Sequence, residues 1–428
     1  MFKTLKKLVS NSPLLQVTSF NSLSISIKLI SSLVVAKLSA VLLGAQGVAL
    51  IGNLRNILSV FHNFSSGGLD NAVVKYTGEF HTNHKAYQTF ISTLFWVFVG
   101  LSLVVFSVVF IFSKSLSGLV FNDVSYAFVF KWTALLLPLY ALNVFMLGIL
   151  KGLSRFKKVI RIHILSHFLN LILFAFGVLS FGLSGALMAV VAVPSFSFFI
   201  SLFIASKHLN LTCFSLKVFS FSQLKNFGQY AFMTLISAIS FPLVFIGIRQ
   251  YLSTHLSIDA AGYWEANFRL STFYLVFMQS LLNLYVLPKL VEAKTDKAFQ
   301  STVLEFYKQI IPLFAIGLFV VFLLKKYIVL LVFSDEFLPV TSLLGWQIVA
   351  DFFRILSLVM IYQFHAKKML WHYIVTDLLL ALGLYFSAIY FVDIYDLQGV
   401  VIGHALTYIL YFVLILFLFR KPLFKPQL

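Results

Sequence analysis

Acidic residues are scarce in this chain: 14 Asp and Glu stand against 32 Lys and Arg among 428 residues, and charged side chains make up only 11%. Soluble domains carry about 25% charged and about 45–50% apolar residues. Here the apolar share is 60% and the mean hydropathy is +0.97, so there are too few polar side chains to cover a surface in water. Cysteine occurs once, at Cys213, which excludes an intrachain disulfide and a metal–thiolate cluster. No Walker loop, dinucleotide-binding glycine motif or nucleophile elbow stands at a strand-to-helix junction, so an ATP-driven step would need another chain. No segment is long and polar enough to fold as a basic soluble domain, so the net charge of +18 does not read as a nucleic-acid surface.

What is abundant is phenylalanine, 50 residues of it, and long apolar runs. Windows of about 20 apolar residues, the length that crosses a bilayer as a helix, predict twelve spans. They cover 17–40, 48–73, 88–112, 125–150, 160–181 and 184–206, then 227–250, 262–287, 303–324, 340–364, 371–392 and 398–419. The expected fold is therefore an all-α polytopic membrane protein. Met1–Lys7 is basic and precedes an apolar run, as in a signal peptide, but Lys28 interrupts that run and no small-x-small cleavage site precedes it; it reads as a retained first helix.

Sorting the cations by this map gives an orientation. The N-terminus, the even-to-odd connections and the C-terminus hold about 21 of the 32 Lys and Arg, including Lys151, Arg155, Lys157, Lys158 and Arg161. The odd-to-even connections hold about four: Lys37, Lys114, Lys325 and Lys326. Cationic loops stay in the cytoplasm, which places both termini there and supports an even number of spans. The connection from Lys207 to Lys225 divides the chain into a lobe of residues 1–210, a cytoplasmic linker of 211–225 and a second lobe of 226–428. Leu183-Ser184-Gly185 and Leu397-Gln398-Gly399 open the sixth and twelfth spans alike, as a parallel repeat would, and such repeats place substrate between lobes.

Seven cations remain inside the spans: Lys28, Arg55, Lys131, Arg249, Arg269, Lys308 and Arg354. Each costs roughly 2.5–3.5 kcal/mol at a helix centre, so lipid is excluded as their surroundings. Lys131 and Lys308 lie within reach of the headgroups. The other five sit on polar stripes: Asn21, Ser24, Lys28 and Ser31; Asn53, Arg55, Asn56 and Asn63; Glu265, Arg269, Thr272, Gln279 and Asn283; Gln347, Asp351 and Arg354. Helical spacing puts the first, third and fourth sets on one face each, the second set gathers beside Arg55, and the simplest arrangement points all four at one aqueous cavity. The competing reading is structural. Glu265–Arg269 and Asp351–Arg354 stand at i,i+4 and i,i+3 and neutralise each other on a helix, and polar side chains also join helices in lipid. Lys28, Arg55 and Arg249 have no acid within one turn. The interior is left with net positive charge, which calls for an anion, and guanidinium groups bind pyrophosphate oxygens bidentately. His163 and His167, an i,i+4 pair without a nearby acid or thiol, read as packing residues, and His62 as a hydrogen-bonded structural histidine.

These residues resemble a family. Gly44-Ala45-Gln46-Gly47, Asn53-Leu54-Arg55, Val74-Lys75-Tyr76, Gly262-Tyr263-Trp264, Tyr285-Val286-Leu287-Pro288, Phe333-Ser334-Asp335-Glu336-Phe337 and Gly345-Trp346-Gln347 running to Asp351 are similar to the bacterial flippases of lipid-linked oligosaccharides. These are the O-antigen and enterobacterial-common-antigen translocases of Wzx type, in one superfamily with the multidrug MATE exporters. The resemblance spans most of the chain. It implies two six-helix lobes in a V around a cationic central cavity in the bacterial inner membrane. It also implies an undecaprenyl-pyrophosphate oligosaccharide carried from the cytoplasmic to the periplasmic leaflet.

On that resemblance Lys28, Arg55 and Arg249 match basic positions of the common-antigen flippases and Arg354 stands for a lysine, whereas Glu265 and Arg269 depart from the pattern. The expected site places Lys28, Arg55, Arg249, Arg269 and Arg354 on the pyrophosphate. Asn53, Asn56, Glu265, Gln279, Asn283, Gln347 and Asp351 would line the cavity or meet the sugar. No catalytic residue, metal or cofactor is expected, and coupling to a proton or a sodium gradient stays open. The expected partners are the lipid-linked glycan, membrane lipids and other glycan-assembly proteins such as the polymerase, with no nucleic acid. Two alternatives stay open: a MATE-type exporter of cationic drugs, which calls for unpaired cavity carboxylates, and a membrane glycan polymerase or ligase. The latter usually carries a large periplasmic loop, and the longest here is about 15 residues.

Overall fold

A hydrocarbon surrounding leaves each backbone N–H and C=O to find a partner inside its own segment, so apolar runs of this length become helices. The structure, a computed structural model, describes residues 13–206, 216–367 and 369–424. Cys213, part of the expected linker 211–225, and Lys3, Lys6 and Lys7 lie outside the described residues, as does the side chain of Asn21. The helices are α1 (Pro13–Ser66), α2 (Asp70–Phe80), α3 (His84–Ile111), α4 (Ser113–Phe121), α5 (Ala127–Gly152), α6 (Phe156–Ala205), α7 (Phe221–His255) and α8 (Ile258–Leu281). They continue with α9 (Leu287–Glu292), α10 (Asp296–Gln309), α11 (Ile311–Leu323), α12 (Lys325–Val332), α13 (Val340–Ala366), α14 (Leu370–Leu418) and α15 (Arg420–Phe424). A π-helical turn, Leu282–Val286, joins α8 to α9.

Eight stretches of the described residues are long and apolar enough to cross a membrane. Three of them are two spans each. The chain breaks inside α1 at Gly44 (φ 63°, ψ −168°), inside α6 at Gly182 (φ 56°, ψ −135°) and inside α14 at Tyr395–Asp396, where Asp396 has φ 50°. Left-handed backbone of this kind is cheap for glycine and tolerated by Asp. Counting each of the three as two spans gives eleven of the expected spans among the described residues, α7 runs over the remaining one, 227–250, and the breaks fall in three of the expected short odd-to-even connections. Elsewhere starts are marked by side-chain caps: Asn83 accepts from the Ala86 N–H at 3.2 Å, Ser257 from Ala260 at 3.0 Å and Thr295 from Ala298 at 3.3 Å.

The spans gather into two compact units. One comprises 1–42 and 53–239; the other comprises 43–52 and 240–428. In the first, Leu69, Val73, Phe90, Leu94, Phe98 and Phe145 form a buried core. In the second, one core joins α8, α10, α13 and α14 through residues such as Phe299, Phe306, Val359 and Phe364. Another brings Ala49 against Ile248, Leu252, Trp264, Leu343 and Val400. The ten-residue piece 43–52 thus packs in the second unit. It is held at its break by Glu336, which accepts from the Ala45 N–H at 3.0 Å.

Candidate functional site

Arg249 has no acid on its own helix, and the fold supplies one from the next. Its Nη2 lies 3.2 Å from Glu265 Oε2, while Arg269 Nη2 lies 3.0 Å from Glu265 Oε1. One carboxylate on α8 is therefore shared by two guanidinium groups, one from α7 and one from its own helix a turn away. Arg249 is only 2% exposed and its guanidinium sits 5.5 Å from the Trp264 ring centre. That contact and the ion pair make burial of the charge tolerable. The Arg269 side chain keeps 20% of its surface exposed. Position 52 must be small here, because a Cβ on Gly52 would stand 2.5 Å from Glu265 Cδ. The expected pairing of Arg269 with Glu265 forms, and Arg249 joins the same carboxylate.

The expected ion pair between Asp351 and Arg354 does not form among the described residues. Asp351 is fully buried and takes its hydrogen bonds from neutral groups instead. Ser271 Oγ donates to Oδ2 at 2.6 Å, Tyr274 donates to the same oxygen, and Gln347 Nε2 donates to Oδ1 at 3.2 Å. Asn267 Nδ2 in turn donates to Gln347 Oε1 at 2.9 Å. This network seals α8 to α13. Asp351, Gln347 and the 4% exposed Glu265 are thus bonded inside the second unit. The physical reason is the cost of an unsatisfied buried polar group, met here by close pairing between helices. Asn267, Ser271 and Tyr274 were absent from the expected site. They form a second stripe at spacings of 4 and 3 on α8, overlooked because it carries no charge.

Arg354 lies 5.9 Å from the Tyr408 ring centre, faces a cavity within the second unit, and feels the Asp351 charge without an ion-pair contact among the described residues. Asn283 accepts from the Tyr362 hydroxyl at 3.1 Å, and Gln279 is exposed.

In the first unit, Asn53 is buried and its amide donates to the Val120 carbonyl at 3.0 Å, so this side chain ties α1 to α4. Arg55 and Asn56 are half-buried and Lys28 is exposed. Near Lys28, Ser31 donates to the His167 carbonyl at 3.2 Å and accepts from Asn170 at 3.4 Å. His62 stacks on Tyr140 with ring centres 3.6 Å apart.

With this geometry in hand, the comparisons are specific. Over 387 residues the chain is 24% identical to a protein named lipid III flippase from Escherichia coli strain K12, covering 90% of this chain and 93% of that one. The same figures hold for a protein of that name from Shigella flexneri. Among solved structures, an inward-facing multidrug-resistance MATE transporter of the MOP superfamily superposes with a TM-score of 0.77 at 15% identity, covering 92% of this chain and 95% of that one. The lipid II flippase MurJ, in an inward closed conformation, gives 0.73 at 14% identity over 95% and 90%. The chain therefore shares the all-α polytopic fold of this superfamily. Residues 40–342 match the family described as polysaccharide biosynthesis protein, and the chain belongs to that family.

Proposed function

We propose that this protein is a flippase. It moves an undecaprenyl-pyrophosphate-linked oligosaccharide, an O-antigen or common-antigen unit, from the cytoplasmic to the periplasmic leaflet of the bacterial inner membrane by alternating access. The observation that carries the reading is the shared carboxylate. Glu265 pairs with both Arg249 and Arg269, and Arg269 keeps an exposed edge. An anionic headgroup meets that edge, and a pyrophosphate fits guanidinium geometry. Arg269, Arg249, Arg55 and Lys28 are the residues assigned to it, with Asn56, Gln279 and Asn283 near the glycan. The glycan needs a wet path through hydrocarbon, whereas the polyprenyl tail stays in lipid. Both termini lie in the cytoplasm on this reading, following the cation bias of the connections.

The MATE fold is common to drug exporters and flippases, so fold alone does not decide between them. The exposed edge of Arg269 favours the flippase reading, since a cationic drug would meet repulsion there.

The test keeps the buried pair intact. Arg269→Gln leaves Arg249 and Glu265 balanced one to one, and Arg55→Gln removes a cation that is only half-buried. The double variant is expected to reach the membrane at the normal level, to lose surface glycan and to accumulate lipid-linked single units in the cytoplasmic leaflet. Unimpaired surface glycan at normal protein level refutes the assignment.

A further inference from the structure

The charge of the chain is unevenly divided between its two units. Residues 1–42 and 53–239 carry 18 Lys and Arg against three acids, Asp70, Glu79 and Asp123, whereas 43–52 and 240–428 carry 14 against 11. Most of the surplus belongs to the first unit, and packing there draws part of it together. A tight turn joins α5 to α6, closed by the Arg155 N–H, which donates to the Leu150 carbonyl at 2.8 Å. Leu150 packs with Val159 and Ile162 in one buried cluster, which brings its neighbour Lys151 to the His163 end of α6. His163, His167 and Asn170 follow at spacings of 4 and 3 and share one face of that helix. Lys28 and Ser31 stand three apart on α1, and Ser31 holds the two helices together by its bonds to the His167 carbonyl and to Asn170. Lys28 and Lys151 both act on His163 by charge, and Lys28 acts on His167 as well. At 1.5 Å per residue the two histidines lie roughly 10 and 16 Å along α6 from its start at Phe156. Lys151, His163, His167 and Lys28 therefore form a ladder that runs inward from the helix end.

The signs along this ladder select a ligand. The charges felt by the two histidines come from basic groups. The acid on which Lys151 acts, Asp70, belongs to α2 and is bonded to Ser66. Like charges gathered away from bulk water repel one another, and a pair of histidines that served packing alone would gain nothing from two lysines set against it. An anion relieves the repulsion, whereas a cation would add to it. Both lysines are exposed and both histidines are half-buried, so the four remain open to a ligand. An ammonium binds phosphate as a point charge, and an imidazole ring donates an N–H to an anionic oxygen. A pyrophosphate spreads its charge over several oxygens and can meet groups presented by three helices at once.

We propose that Lys28, Lys151, His163 and His167 form a pyrophosphate-binding station within the first unit, which receives the headgroup of the lipid-linked substrate before Arg55 and Arg269 engage it. This deepens the flippase reading and rests on it. Lys28 is common to both sets of residues. His163 and His167, which spacing alone reads as packing residues, are assigned to recognition.

The test uses the full chain in detergent micelles, with Arg55→Gln and Arg269→Gln in place so that the station is measured by itself. Calorimetric titrations use inorganic pyrophosphate as the headgroup alone and farnesyl pyrophosphate as the same group on a short prenyl chain; farnesol is the control. Both pyrophosphates are expected to bind and to compete, and farnesol is not. Adding His163→Gln with His167→Gln should weaken both at least about tenfold, the size of one lost hydrogen bond to a charged group. Lys151→Gln, at an exposed position, should weaken both severalfold with an unchanged unfolding midpoint, and it decides the matter if the histidine variant does not fold. Undiminished affinity in either variant at a native midpoint overturns the proposal. So does binding of neither pyrophosphate, or a failure of farnesyl pyrophosphate to displace the inorganic anion, which would mark a site for free phosphate. A deletion strain separates this from the parent reading. If lipid-linked units accumulate there while the histidine variant binds undiminished, the station is wrong and the flippase stands. If none accumulate, the flippase reading fails.

Discussion

Truncating Glu265 to alanine removes the one negative charge that two guanidinium groups share. The two partners differ in what happens next. The Arg269 side chain is 20% exposed and has an outlet, whereas that of Arg249 is 2% exposed and packed on Trp264. Its charge would be left buried with only a ring face and whatever other contacts remain. Breaking a buried pair by removing one partner costs about 3–5 kcal/mol, so the expected destabilisation of Glu265→Ala lies in that range. The companion variant separates an electrostatic cause from lost packing. Replacing the buried pair together, Arg249→Met with Glu265→Leu, removes the stranded charge, and such replacements are often neutral or stabilising by about 1–4 kcal/mol. The double variant should therefore be more stable than Glu265→Ala alone, a departure from additivity expected of residues in contact. The assay is equilibrium unfolding of the purified full chain in mixed detergent–SDS micelles, followed by tryptophan fluorescence. A cost below about 1 kcal/mol for Glu265→Ala, smaller than the effect typical of a broken buried pair, refutes the reasoning. So does a double variant that costs the sum of its parts.

Two further predictions concern the piece 43–52 that packs in the second unit. Gly262→Val would drive its Cβ into the backbone of Ala45, which cannot give way as a flexible side chain can. The expected outcome is a loss of about 1–3 kcal/mol or more from overpacking, with hydrogen-exchange protection falling first across 43–52. Glu336→Ala removes the acceptor that meets the Ala45 N–H at 3.0 Å. A bond to a charged group is worth about 1.5–3 kcal/mol, and the unfolding midpoint in mixed micelles should fall accordingly.

Most of the fold was legible in the sequence because a bilayer imposes length on every segment. The break at Gly44 falls between the expected spans 17–40 and 48–73, Gly182 between 160–181 and 184–206, and Asp396 between 371–392 and 398–419. Hydropathy drops only briefly at such tight reversals, yet the apolar runs on each side are already long enough to cross, and the chain must turn. Hydropathy gave no sign that residues 43–52, at the start of the second span, would pack with the other half of the chain. That depends on Gly262 and Gly52 letting backbone and carboxylate approach closely, and glycine marks such places without naming the partner.

The candidate site was less legible, and the reason is instructive about charge in lipid. Periodicity along one helix identifies which polar residues share a face, but not whether that face meets water or another helix. Glu265 and Asp351 look alike in sequence, each an acid followed within one turn by an arginine. The fold treats them oppositely. Glu265 collects a second arginine from α7. Asp351 is taken by Ser271, Tyr274 and Gln347, which leaves the nearby Arg354 facing a cavity. One acid is thus shared by two arginines, whereas the other is held by hydroxyl and amide donors and acts on the arginine a turn away by charge alone.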